Sequence, residues 1–244
     1  MTIYALELEN VVGVIGETPI INDVSLSVAR NSLLSIVGDN GAGKSTLFHM
    51  ISGLVPIMSG EVRIDGQLAN AKPVHARSGM GLAVAMQSPA LIGDCTAEEH
   101  LAFACAPNVF DGRAGFLGCS TRDELMRETL ARTGLWGVRR QAAKSLSHAQ
   151  RKWLEVGIAI SQAPSLLLLD EPVAGLADGQ IGKMITLVRD LLDSLAIVLI
   201  EHRDHFLRGL GGQVCVLESG RVLKQGTYSE CQSELAALRH DKEL

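Results

Sequence analysis

Gly38, Gly43, Lys44 and Ser45 stand at the spacing G-x-x-x-x-G-K-[ST] within the stretch LLSIVGDNGAGKSTLFHM, residues 33–50. That spacing suits a loop whose backbone N–H groups surround a phosphate. Glycines at 38, 41 and 43 let the chain curl with its amides inward, and the helix that follows adds unsatisfied donors and a positive dipole end. Gly38, Asp39, Asn40, Gly41, Ala42 and Gly43, with the helix opening Lys44-Ser45-Thr46, are therefore read as a triphosphate cradle. Lys44 reaches the outer phosphates and the Ser45 hydroxyl ligates Mg²⁺. Farther on, Asp170 and Glu171 close one apolar run, His202 follows another, and Gln87 follows a third. Singly, a carboxylate pair or a histidine after a strand is most often a solvated turn. In this order, behind an intact phosphate loop, they make a hydrolytic set. Asp170 holds the metal directly or through water, and Glu171 is the general base for the attacking water. His202 meets the γ-phosphate, and Gln87 the water or the metal.

The elements that must hold these groups are buried strands. Leu33–Val37, Met80–Met86, Leu166–Leu169 and Ala196–Ile200 are short apolar runs bounded by turn residues, the mark of strands covered on both faces. Ligands gather at the carboxyl ends of such strands in open α/β sheets. Residues 3–9 and 20–28 alternate apolar and polar, as half-exposed antiparallel strands do, with Gly13, Gly16 and Glu17-Thr18-Pro19 between them. Residues 96–160 are Ala-rich and helical in spacing. Thr96 is placed to cap a helix running through Ala106, Thr121 and Glu124 form a capping box, and Ser147 caps a third helix. Gln213–Leu217 and Arg221–Lys224 flank Ser219-Gly220 as a hairpin. The expected fold is α/β: a mainly parallel sheet, an N-terminal antiparallel β-subdomain, and a helical lobe inserted at roughly 90–160.

Composition narrows the class. A formal charge of −5 and a pI near 5.8 argue against a nucleic-acid partner, which calls for a basic face. No run reaches the 18 or so apolar residues of a membrane span. The N-terminal MTIYALELEN is acidic where a signal peptide is basic, so a cytoplasmic location is expected. Five scattered cysteines without a C-x-x-C pair suggest neither disulfides nor zinc.

Over nearly its whole length the chain resembles the ATP-binding subunit of an ABC transporter. Gly38–Ser45 is similar to the Walker A loop, Gln87 to the Q-loop residue and Leu146–Gln150 to the signature. Leu166–Asp170 resembles Walker B, followed by the catalytic glutamate Glu171; Ala174–Asp178 is the D-loop and His202 the switch histidine. The resemblance implies ATP and Mg²⁺ as cofactors. It also implies a head-to-tail pair with a second ATP-binding subunit, so that Ser147 and Gln150 of one copy face the nucleotide held by the other. Transmembrane permease subunits dock near Gln87, a solute-binding protein is engaged indirectly, and the subunit lies on the inner face of the membrane.

Three departures qualify that likeness. The signature reads Leu-Ser-His-Ala-Gln, with His148 and Ala149 where the family usually has two glycines. Ile15 stands where an adenine-stacking aromatic is common, and the D-loop begins Ala174-Gly175-Leu176 in place of S-A-L. The strings Gln150–Gly157 and Asp170–Gly175 resemble the urea and branched-chain amino-acid uptake branch. The expected function is thus an importer ATPase for urea, short amides or branched-chain amino acids. The alternative is a degenerate subunit of weak turnover beside a more active ATPase.

Overall fold

A computed structural model of the chain describes residues 4–86, 91–105 and 116–240. β1 (Tyr4–Ile15) and β2 (Thr18–Ala29) form one long antiparallel hairpin. The sequence suggested shorter strands with Gly13 and Thr18-Pro19 in the connection; the ladder instead runs through all three. Asn10 and Asp23 take positive φ at 48° and 59° where the pairing register shifts, and Asn10 Nδ2 donates to Asp23 Oδ1 at 2.8 Å. Such a bulge breaks strict alternation, so the periodic signal stops at residue 9 while the strand does not. Gly13 in mid-strand leaves room for the end of the Met50 side chain, whose Cε would lie 1.7 Å from a Cβ there.

β3 (Leu33–Val37) leads through the glycine loop into α1 (Lys44–Ser52). β4 (Ser59–Ile64) and β5 (Gln67–Leu68) complete a four-stranded antiparallel sheet in the order β2-β1-β4-β5. A short α2 (Val74–Gly79) precedes β6 (Leu82–Ala85). Next come α3 (Ala97–Ala104), α4 (Arg122–Arg132) and α5 (His148–Ile160). The rest is β7 (Leu166–Asp170), α6 (Asp178–Leu191), β8 (Ala196–Ile200), α7 (Asp204–Leu210), β9 (Gln213–Glu218), β10 (Arg221–Thr227) and α8 (Gln232–His240). The second sheet has the order β10-β9-β3-β8-β7-β6 and is parallel except for the β9–β10 hairpin.

All three anticipated caps form, each as a reciprocal box: Thr96 with Glu99, Thr121 with Glu124, Ser147 with Gln150. α3 ends at Ala104, two residues short of the expected Ala106, which itself lies outside the described residues. Helix α2 gave no sequence signal; six residues following Pro73 are too few to show a period.

The fully buried strands feed two cores at once. Leu33, Leu167, Leu169, Ile197 and Leu199 pack toward the helices. Their sequence neighbours Leu34, Leu166, Leu168, Val198 and Ile200 pack toward α1 and the antiparallel sheet. The period of two is intact, but both faces are apolar, so it reads as a continuous run.

Candidate functional site

Parallel pairing sets four strands in the order β3, β8, β7, β6, so their carboxyl ends share one edge of the sheet. Ile200 is flanked by Ile36 on one side and Asp170 on the other. The phosphate loop leaves one strand just past Ile36, the two carboxylates leave the next but one, and His202 lies two residues beyond Ile200. The sequence-predicted hydrolytic groups are thus gathered, with the exception of Gln87, which lies outside the described residues.

The glycines of the loop answer to close approach. A Cβ on Gly38 would lie 2.2 Å from the Leu217 carbonyl oxygen of β9. Gly43 has φ 101°, and a Cβ there would lie 3.1 Å from the Ile20 carbonyl of β2. The loop is also tied down: Gly220 N–H donates to the Ala42 carbonyl at 2.9 Å, and Asn22 N–H to the Gly220 carbonyl at 2.8 Å. Lys44 Nζ donates to the Gly38 and Asp39 carbonyls, both at 2.7 Å. Its ammonium is therefore held within the loop's curl. Gly43, with no side chain to cap α1, leaves the first-turn amides to whatever sits before them. Ser45 and Thr46 follow on that turn.

Asp170 is buried, and that burial, reinforced by Glu171, pushes its carboxyl above the usual range; Lys152, His49 and Lys44 pull the other way. Glu171 sits at φ 47°, a conformation that a non-glycine residue holds only under constraint. Its N–H is donated to the Ile200 carbonyl at 3.0 Å. His202 Nδ1 stands 3.6 Å from Glu171 Oε1 and 3.6 Å from Glu201 Oε1. Glu201, only 1% exposed, accepts the N–H groups of His202 at 2.8 Å and Arg203 at 3.1 Å. Arg203 in turn donates to the Leu176 carbonyl of the D-loop at 3.3 Å. Glu201 was not singled out from sequence, although a charged residue closing an apolar run was a signal.

Ser147 and Gln150 are set apart from this edge, at the start of α5. Ser147 Oγ accepts Gln150 N–H at 3.2 Å, and Gln150 Oε1 accepts Ser147 N–H at 2.9 Å. Ala149 is half-buried and packs on the helical core. His148 lies against the D-loop: a Cβ on Gly175 would come within 2.8 Å of its Cε1. Two departures from the family pattern therefore touch each other. Ile15 is more than half exposed at the hairpin end.

The residues present suit a hard divalent cation beside a triphosphate. Asp170 and Ser45 offer oxygen donors. The glycine cradle is one that side chains would fill, and Asp170 is a buried carboxylate in need of positive charge.

A phosphate loop at a parallel sheet edge, with two carboxylates at the end of the next strand but one, defines a P-loop nucleotide hydrolase. The narrower assignment comes from comparison: the ABC transporter family profile matches residues 21–174, and the chain belongs to that family, an ATPase class coupled to transport. An uncharacterized ABC transporter ATP-binding protein of Rhizobium meliloti (strain 1021) is 29% identical over 212 residues, 86% of this chain and 76% of that one. The lipopolysaccharide export system ATP-binding protein of Acidithiobacillus ferridurans is 28% identical across 86% of this chain and 85% of its own. A methionine import ATP-binding protein of Rhizobium etli is 32% identical across 86% of this chain and 58% of its own. Among solved structures, a nucleotide-free ATP-binding cassette from an ABC transporter superposes with a TM-score of 0.82 at 25% identity, covering 97% and 96% of the two chains. A cassette in its ADP conformation gives 0.80 at 26%, covering 97% and 95%.

Proposed function

We propose that the chain binds Mg-ATP in the Gly38–Thr46 loop and hydrolyses it to drive solute uptake, working as one of a pair of ATP-binding subunits beneath transmembrane permeases. The observation that carries this reading is the convergence of Lys44, Asp170, Glu171 and His202 at one sheet edge. Lys44 and the loop amides bind and orient the phosphates. Ser45 and Asp170 would hold Mg²⁺, which supplies charge neutralisation at the phosphate oxygens, and Gln87 is assigned to the water or the metal. Glu171, its backbone fixed through Ile200, takes the proton of the water that attacks the terminal phosphorus. His202, backed by two carboxylates, orients that phosphate. Ser147 and Gln150, at a helix N-terminus, face the nucleotide of the opposite copy.

The importer direction and a urea, short-amide or branched-chain amino-acid solute rest on the likeness of Gln150–Gly157 and Asp170–Gly175 to that branch. Among the relatives, methionine, xylose and ribose import proteins stand beside the export one. Glu171→Gln should retain ATP binding and lose hydrolysis by ~10²–10⁴-fold; a variant as fast as the parent would remove the base assignment. Purification from membranes should bring permeases and a solute-binding protein with the chain, and uptake assays with urea and branched-chain amino acids then decide the solute. We find no described helix long and apolar enough to cross a membrane; the inner face is where those permeases would hold this subunit.

A second reading, slow turnover beside a more active partner, is favoured by Ala149, whose methyl occupies a position at the interface end of α5. Ala149→Gly should raise kcat several-fold on that reading and leave it unchanged on the first.

A further inference from the structure

Helix α5 carries one buried ion pair among apolar neighbours. Lys152 and Glu155 are three residues apart, with side chains 5% and 8% exposed, and Lys152 Nζ lies 3.2 Å from Glu155 Oε2. The helix otherwise buries Trp153, Leu154, Val156, Ala159 and Ile160. Burial pushes the Glu155 carboxyl up, and Lys152 offsets it. A pair of matched apolar side chains would fill that space at no loss of stability. The charges provide something apolar groups cannot, namely direction.

That direction is toward the catalytic strand ends. Lys152 Nζ reaches the Met86 carbonyl at 3.3 Å and the Asp170 carbonyl at 3.5 Å. The Met86 backbone also helps to offset the upward push on the Glu155 carboxyl. The Met86 carbonyl is therefore tied by the lysine to the carbonyl of Asp170, with the glutamate holding the lysine. Met86 follows β6, Asp170 ends β7, and Lys152 lies five residues beyond Ser147 on the helix that Ser147 caps. One pair joins three elements.

We propose that Lys152 and Glu155 are a positioning pair: they fix the helix that Ser147 caps to the strand ends of Met86 and Asp170, so that a rotation of that helix moves the hydrolytic carboxylates. This rests on the functional reading above, and one arm of its test does not need ATP. The double variant Lys152→Met/Glu155→Leu keeps the volume and leaves no unpaired charge, and Lys152→Arg, with Glu155 in place, keeps a cationic donor. Hydrogen exchange on the full chain without nucleotide should show at least tenfold faster exchange at Leu82–Met86 and Leu166–Glu171 in the double variant, with melting temperature within a few degrees of the parent. Mg-ATP affinity should stay within threefold while kcat falls tenfold or more, and Lys152→Arg should keep most of the parent's kcat. Unchanged exchange overturns the proposal, as does unchanged kcat. Affinity, kcat and melting temperature falling together overturn it too, since the pair would then be ordinary packing. A parent chain that fails to bind Mg-ATP defeats the functional reading before any variant is made, and the exchange arm still judges the tie.

Discussion

At the scale of single residues, the charged groups of this site divide into those proposed to face the phosphates and those that hold the former in place. Glu201 belongs to the second kind. Its carboxylate closes the turn after β8 by taking two backbone N–H groups, and it stands at the same distance from His202 as Glu171 does. Glu201→Leu removes the acceptor and strands both amides, so it should cost about 2–4 kcal/mol, read by urea denaturation. Glu201→Gln keeps an acceptor oxygen and should cost much less. The residues proposed to face the phosphates could be picked out in sequence because their spacing is local: four positions of one loop, or two at the end of one strand. Lys152 and Glu155 could not, because their roles depend on which strands lie side by side, whereas Glu201, whose partners are the next two residues, carried a local signal as the charge closing an apolar run. No spacing along the chain encodes that Met86 and Asp170 share a lysine.

At the scale of elements, strands and caps were read well where the signal repeats within a few residues. It failed where the repeat was interrupted, at the bulge of Asn10 and Asp23, or never began, as in α2. α2 exists for what it presents. Its Arg77 is buried and donates to the Met50 and Ile51 carbonyls at 2.6 and 2.7 Å, the last turn of α1, and to Lys72 at 2.9 Å. Arg77→Ala takes the guanidinium donor from those carbonyls, Met50 keeping the Gly53 N–H at 3.2 Å, and should cost about 3 kcal/mol, measured by urea denaturation. α8 is held differently, by Lys224 of β10 paired with Glu234 at 2.9 Å. That contact holds the Glu234 carboxyl down to about 2 from its ordinary 4.5. A depressed carboxyl gives stability that is full above the unfolded value and lost as pH falls toward the folded one. The melting difference between the parent and Lys224→Met should accordingly be largest above pH 4.5 and shrink toward pH 2.

At the scale of the whole molecule, the phosphate loop is a joint product of both sheets. Its first glycine lies against Leu217 of β9, its Ala42 carbonyl is held by Gly220, and Gly220 is held by Asn22 of β2. Chain order therefore matters during synthesis. The phosphate loop is written before residue 47, yet the segment that supports it, 213–227, is translated long after it. Ribosome-bound chains arrested with residues up to 212 emerged would display Lys44, Asp170, Glu171 and His202, and should still fail to retain an immobilised ATP analogue. Arrest after Tyr228 has emerged should restore capture.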